Sequence, residues 1–89
     1  MCPIKLDQIS IDHIVDFSKD NTTFAAAREL DTNHLRIFLV YEGSGNVYTR
    51  NGRADSWEEL VGGQRDAILA RIIAARNQVP IYRINGTHN

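Results

Sequence analysis

The chain has 89 residues, of which 43 % are apolar and 24 % are charged, and its net charge is −1. This composition predicts one globular domain over residues 1–89 and excludes a disordered or fibrous chain, and the balanced charge excludes a protein that coats nucleic acid. With a single cysteine, Cys2, and no long apolar run, the sequence also excludes a disulfide-stapled secreted scaffold and a membrane span, so we expect a cytoplasmic protein.

Residues 9–17 carry two competing periodicities. Apolar residues alternate along this segment as they would in a strand. Asp12, however, is a poor strand residue, and a helix would place Ile11, Ile14 and Val15 on one face. We predict that the N-terminal third of the chain is helical.

Residues 22–30 leave a second choice open. The run Ala25–Ala27 favours a helix, because alanine has the highest helix propensity. The following residues 31–33 have the composition of a hairpin loop, which would instead join this segment as a strand to the next one. Both alternatives lead to an α+β domain.

Residues 35–42 predict the clearest strand. Apolar side chains occupy both of its faces, which is typical of an interior strand that is covered on both sides. A turn then leads into a partner strand over residues 46–50. A loop centred on Ser44–Gly45 would place Tyr41 opposite Tyr48, a favourable cross-strand aromatic pair.

Residues 23–42 also resemble a helix-turn-helix segment of the phage-repressor type. Ala27 falls at the contact between the two helices, Asp31 at the turn, and Ile37 and Val40 in the second helix. The resemblance implies a DNA-binding regulator, which is our alternative hypothesis. Because the face that would read base edges carries apolar side chains instead of Arg, Gln or Asn, we predict that the protein does not bind DNA specifically.

Residues 55–59 predict the start of a short helix, because a serine and a glutamate occur there at capping-box spacing. Gly62 and Gly63 would then end or bend this segment. The two glycines also precede the next helix. Its free backbone N–H groups, together with Arg65, therefore form a candidate anion site.

The long helix is predicted over residues 64–77. Its apolar stripe is expected to face the core and consists of Ile68, Leu69, Ile72 and Ile73. Its opposite side carries Ala67, Ala70 and Ala74, and small side chains allow two helices to approach closely. We predict a homodimer in which this alanine face takes part.

Residues 79–84 predict a final strand, which the early proline Pro80 confines to a sheet edge, and residues 85–89 are expected to fray. The predicted fold class is α+β. An antiparallel sheet packs against one long helix, with strands near 35–42, 46–50 and 79–84 and the helix near 64–77.

The sequence predicts no catalytic or metal-binding constellation. His13, His34 and His88 share no metal-ligand spacing, and nothing places a nucleophile beside a base. We therefore expect no enzyme activity, no metal and no cofactor.

A binding surface is predicted on the hairpin instead. It combines Tyr41 and Tyr48 with Arg50 and Arg53, and it would suit an acidic protein partner. The leading functional hypothesis is a non-catalytic interaction module that self-associates. A DNA-binding regulator is the alternative, and a small enzyme of unknown class is the third hypothesis.

Overall fold

A computed structural model describes residues 6–52 and 56–84 of the chain. These residues form a six-stranded sheet with one helix against it, preceded by a 3-10 turn at Leu6–Gln8. The strands and the helix are β1 (Ile9–Phe17), β2 (Thr22–Glu29), β3 (Leu35–Tyr41), β4 (Asn46–Asn51), β5 (Glu58–Leu60), α1 (Gly62–Ala75) and β6 (Ile81–Ile84). The α+β class is confirmed.

The sheet is mixed, whereas the sequence predicted an antiparallel one. Strands β1 to β5 form an antiparallel meander, and β6 pairs in parallel with β1, so that the strand order is β5-β4-β3-β2-β1-β6. The parallel pair arises because α1 crosses the sheet between β5 and β6 and returns the chain to the far edge. The edge position predicted for the last strand is confirmed, although the strand begins at Ile81 rather than at residue 79.

The prediction of a helical N-terminal third is wrong, because residues 9–17 form β1. The strand contains a bulge, at which the pairing passes from Ile11 with Ala27 to His13 with Ala26. The extra residue, Asp12, reverses which side of the sheet the following residues face. This reversal places Ile14 in the core and explains why neither a simple strand period nor a simple helix period fits the segment.

Residues 22–29 form β2, so the hairpin alternative is the right one, and the helix-turn-helix interpretation of residues 23–42 is wrong. Burial overrides helix propensity here. Ala25 and Ala27 are fully buried in the core that β2 shares with α1. Small side chains at these positions let the helix pack close to the sheet.

The β3–β4 hairpin is confirmed, but its predicted register is wrong. Tyr41 pairs with Asn46, and Tyr48 pairs with Leu39. The loop is therefore centred one residue earlier than predicted. Gly45 takes the left-handed conformation at φ 79° and donates its N–H to the Tyr41 carbonyl at 2.8 Å, which closes the turn.

The predicted short helix after residue 55 is also wrong. Residues 53–55 lie outside the described ranges, and Glu58–Leu60 form the edge strand β5. The helix α1 begins at Gly62, two residues earlier than predicted, and ends at Ala75. Gly62 has φ 61°, which turns the chain directly from β5 into the helix.

The core lies between α1 and one side of the sheet. Ile68 and Ile72 are buried there and Leu69 packs at the margin, whereas Ile73 is 64 % exposed and so does not belong to the core-facing stripe as predicted. The sheet supplies the rest of the buried cluster, namely Ile9, Ile14, Ala25, Ala27, Phe38, Val40, Val47 and Leu60.

Candidate functional site

The side of the sheet that points away from α1 is the candidate site, and we call it the open face. Because strand side chains alternate between the two sides, the pairing registers determine its membership. Most of its residues are apolar or aromatic. Its members are Ser10, His13, Val15, Phe17, Thr22, Phe24, Ala26, Arg28, Leu35, Ile37, Leu39, Tyr41, Asn46, Tyr48, Arg50, Glu59, Tyr82 and Ile84.

Within residues 6–52 and 56–84 nothing packs over the open face, because the only described helix lies on the other side of the sheet. Four large side chains on this face are substantially exposed: Leu35 by 48 %, Tyr41 by 42 %, Tyr82 by 56 % and Ile84 by 45 %. Others between them, such as Leu39, are half-buried only by their neighbours on the sheet. The open face is thus a surface of apolar and aromatic side chains that the described residues leave partly in contact with water.

Aromatic contacts hold the side chains of the open face in place. Tyr41 and Tyr48 contact each other edge to face, with ring centroids 5.7 Å apart and an interplanar angle of 83°. They meet diagonally across β3 and β4, since they are not directly opposite in the register. His13 and Tyr82 make a similar contact at 5.8 Å and 81° near the other edge. Each such pair stabilises the packing of its two rings by roughly 0.5–1.5 kcal/mol beyond the burial of their area.

Arg50 is the least satisfied polar side chain of the open face. Its guanidinium carbon lies 5.9 Å from the centre of the Trp57 ring, a cation–π contact. Its Nε atom is buried without a hydrogen-bond partner, and Arg50 forms no ion pair within the described part of the chain. The predicted surface of Tyr41, Tyr48, Arg50 and Arg53 is thus brought together for its first three members, while Arg53 lies outside the described residues.

On the helix side of the sheet, in contrast, charged side chains are paired with one another. Arg76, just after α1, donates from both terminal nitrogens to the Asp16 carboxylate on β1, each at 2.9 Å. The Thr23 hydroxyl accepts from Arg76 at 3.0 Å and lies 2.5 Å from the Glu42 carboxylate. The hydrogen bonds from Arg76 lower the pKa of Asp16 below its ordinary value, against the opposing effect of burial. This cluster anchors the end of the helix to the sheet.

A second ion pair has the same character. The Arg36 Nε lies 2.7 Å from the Glu29 carboxylate, and an Arg36 terminal nitrogen donates to the Thr49 hydroxyl at 3.1 Å. The hydrogen bond from Arg36 lowers the pKa of Glu29. These partly buried arginines are therefore satisfied within the chain, in contrast to Arg50.

The predicted alanine face lies on the outer side of α1, where Ala67, Ala70 and Ala74 are exposed. Ala70 and Ala74 border a groove of about 590 Å³ between α1 and the start of β1, together with Ile9 and Leu30. The structure places the three alanines together as predicted. Whether they form an interface remains a prediction.

The predicted anion site lies at the start of α1. Gly62 and Gly63 are its first two residues, and the preceding Val61 provides no side-chain cap. The Arg65 Nε, however, lies 3.5 Å from the carboxylate of the adjacent Asp66. Anion binding at this helix start remains a prediction.

Residues 6–52 and 56–84 provide neither a metal centre nor a membrane-spanning helix. No group of three or more His, Cys, Asp or Glu side chains there has the geometry to hold a metal ion. No helix in the same ranges has both the length and the apolar character needed to cross a membrane.

Sequence reasoning missed the open face as a whole, although one signal for it was present. The apolar residues on both sides of 35–42 were interpreted as a strand covered twice. The structure covers only the side of Phe38 and Val40 and leaves Ile37 and Leu39 on the open face. The second apolar side of β3 is therefore left without a covering layer by residues 6–52 and 56–84.

No protein-family model, no curated protein sequence and no solved structure matches the chain. Comparisons with known proteins therefore assign no function to the open face.

Proposed function

We propose that the protein is a non-catalytic interaction module, which works by burying the open face of its sheet against an apolar surface of another protein molecule. The observation that carries the proposal is that the described residues leave one apolar sheet face uncovered, while the opposite face is packed against α1. Apolar area removed from water stabilises a complex by roughly 25 cal/mol per Å² before the costs of association are subtracted. A face of this kind therefore favours association.

The composition of the open face supports binding rather than chemistry. Most of its side chains are aliphatic or aromatic, and tyrosine, which occurs there at positions 41, 48 and 82, is a residue type enriched in interface centres. Its potential proton-transfer group, His13, is in edge contact with Tyr82. General acid–base work would require a second polar group aligned with that histidine.

The experiment compares two Leu or Ile to Lys substitutions on opposite sides of the molecule. Leu39→Lys places a charge in the middle of the open face, and Ile73→Lys places one on the exposed side of α1. The readouts are Nile red fluorescence, which reports accessible apolar surface, and hydrodynamic mass. Wild-type protein is expected to bind the dye or to form an assembly.

The Leu39→Lys variant is expected to lose whichever of these properties the wild type shows, because a lysine cannot leave water without a partner. The Ile73→Lys control is expected to keep it. If circular dichroism shows that Leu39→Lys is unfolded, Tyr41→Lys at an exposed position of the same face replaces it. A folded open-face variant that behaves like the wild type would contradict the proposal.

A further inference from the structure

We infer that the molecule covering the open face is a second copy of this chain, so that two sheets pack face to face with a helix on each outer side. This inference rests on the proposed function, because it names the partner of the same surface. Three observations select the second copy: the area of the face, its charge balance and the pattern of β3.

The area of the open face is at the lower limit of what a specific dimer requires. Six strands at about 4.8 Å spacing span about 24 Å, and some five residues at about 3.3 Å each span about 17 Å along the strands. The projected area is then about 400 Å² per copy. Side-chain relief raises the accessible area above this projection, so two copies bury close to the roughly 1,000 Å² that a specific interface requires.

The charge balance of the open face favours an identical partner over an acidic one. Among the described residues its cations are Arg28, which is paired to Asp12 at 3.4 Å, and Arg50, while Glu59 lies opposite Tyr48 on β5. An acidic segment would meet Arg50 but also the carboxylate of Glu59. A neutral surface with both signs at its margin can face a copy of itself without accumulating like charges.

The pattern of β3 is the third observation. This strand lies in the interior of the sheet order and has apolar side chains on both sides. In a face-to-face dimer the Leu39 side becomes the middle of a second core, as in sandwiches whose sheets pack about 10 Å apart. The alanine face of α1 would bury much less apolar area in a dimer, because Ala67, Ala70 and Ala74 each expose only a methyl group.

The experiment is sedimentation equilibrium of the full chain from about 1 to 200 µM, with circular dichroism as a check of folding. Wild-type protein is expected to sediment as a dimer. In Leu39→Lys each copy brings an uncompensated charge to the interface, so the dissociation constant is expected to rise roughly a hundredfold or more. Ala70→Glu, on the alanine face, is the matched control and is expected to remain dimeric.

The outcomes separate the partner from the proposed function. Suppose that wild-type protein is monomeric at 200 µM but binds Nile red, and that Leu39→Lys abolishes this binding. The inference that the partner is a second copy would then be overturned, whereas the proposed interaction module would stand. If the dimer dissociates in Ala70→Glu but not in Leu39→Lys or Tyr41→Lys, the interface lies on the alanine face. That result would overturn both the second-copy inference and the proposed function of the open face. If Leu39→Lys fails to fold, the exposed Tyr41→Lys decides in its place.

Discussion

The two sides of the sheet have similar apolar composition but opposite environments. On the helix side Phe38 is fully buried and the partly buried arginines Arg36 and Arg76 are each paired with a carboxylate. On the open face Leu35 is 48 % and Tyr41 42 % exposed, and Arg50 has no ion pair within the described ranges. The helix side is therefore a packed core. The open face has the apolar composition of a core, but no described residue packs over it.

This difference shows why composition alone is a poor guide to what a surface does. A strand with apolar residues on both sides is fully buried only when a layer covers each side, and the described residues supply one such layer, α1. The comparison between the two sides can be tested by substitutions that affect one side and spare the other.

The largest difference is expected between two neighbours on β3. Phe38→Ala removes a fully buried ring from the helix side and should lower the free energy of unfolding by about 3–5 kcal/mol, through lost burial and a cavity. Leu39→Ala on the open face should lower the free energy of unfolding by only about 1 kcal/mol in dilute protein, because the Leu39 side chain is half-buried and still contacts water. Urea unfolding of both variants below 1 µM checks this. Equal costs would show that the open face is packed within the single chain.

The dependence of stability on protein concentration tests the open face further, by comparing the wild type with Leu39→Lys. If the open face is an interface, the urea midpoint of the wild type rises with protein concentration, since a partner that binds only the folded chain stabilises it. The midpoint of Leu39→Lys should stay constant over the same range. A constant wild-type midpoint would contradict the dimer.

A smaller effect is expected from the cluster on the helix side. Arg76→Ala removes a bidentate pair with Asp16 and should cost about 1–2 kcal/mol, because charge-assisted hydrogen bonds at a partly exposed site contribute that much. The conservative variant Arg76→Lys keeps the charge but not the two parallel bonds, so it should recover only part of the loss. Urea unfolding near pH 7 measures all three proteins.

The pH dependence of stability provides a second test of this cluster. The pKa of Asp16 is lowered in the folded chain, so its contribution is complete above the ordinary pKa of about 4 and is lost as the pH falls through the lower folded value. Asp16→Asn should therefore reduce the loss of stability below about pH 4 while costing stability at pH 7. An unchanged acid profile would show that the pair is not maintained in solution.

The smallest effect concerns the turn that sets which residues of β4 reach the open face. Gly45→Ala should cost about 1 kcal/mol, since alanine is strained at φ 79° although no side chain blocks its Cβ. The matched control is Gly43→Ala. Its φ is not positive and its nearest neighbour, on Asn21, lies at 3.9 Å, so it should be nearly neutral. Thermal unfolding of the two variants distinguishes them, and equal costs would mean that Gly45 does not hold the turn.

The predictable parts of the fold are those whose signals are local. The long helix followed from its apolar stripe, the central hairpin from its turn residues, and the edge position of the last strand from Pro80. In each case one property of a short segment is enough to select the structure.

The parts that failed depend on distant residues. The alanines of β2 favour a helix in isolation, and only the close approach of α1 makes small strand residues the better choice. The bulge at Asp12 breaks the alternation of β1, so its period could not be recognised from the segment itself.

The candidate site was predictable only in part. Tyr41, Tyr48 and Arg50 were selected as a binding surface and do lie together, but the contribution of β1, β2 and β6 was missed. Which residues share a sheet face depends on strand order and register, and neither is encoded in any one segment.

The most direct test of the central claim is hydroxyl-radical footprinting of the wild-type protein across its dimerisation range. Tyr41 and Tyr82 on the open face are expected to lose reactivity as the protein concentration rises, while Ile73 on the exposed side of α1 keeps the same reactivity throughout. Protection of Ile73, with Tyr41 and Tyr82 unchanged, would contradict the assignment of the interface to the sheet.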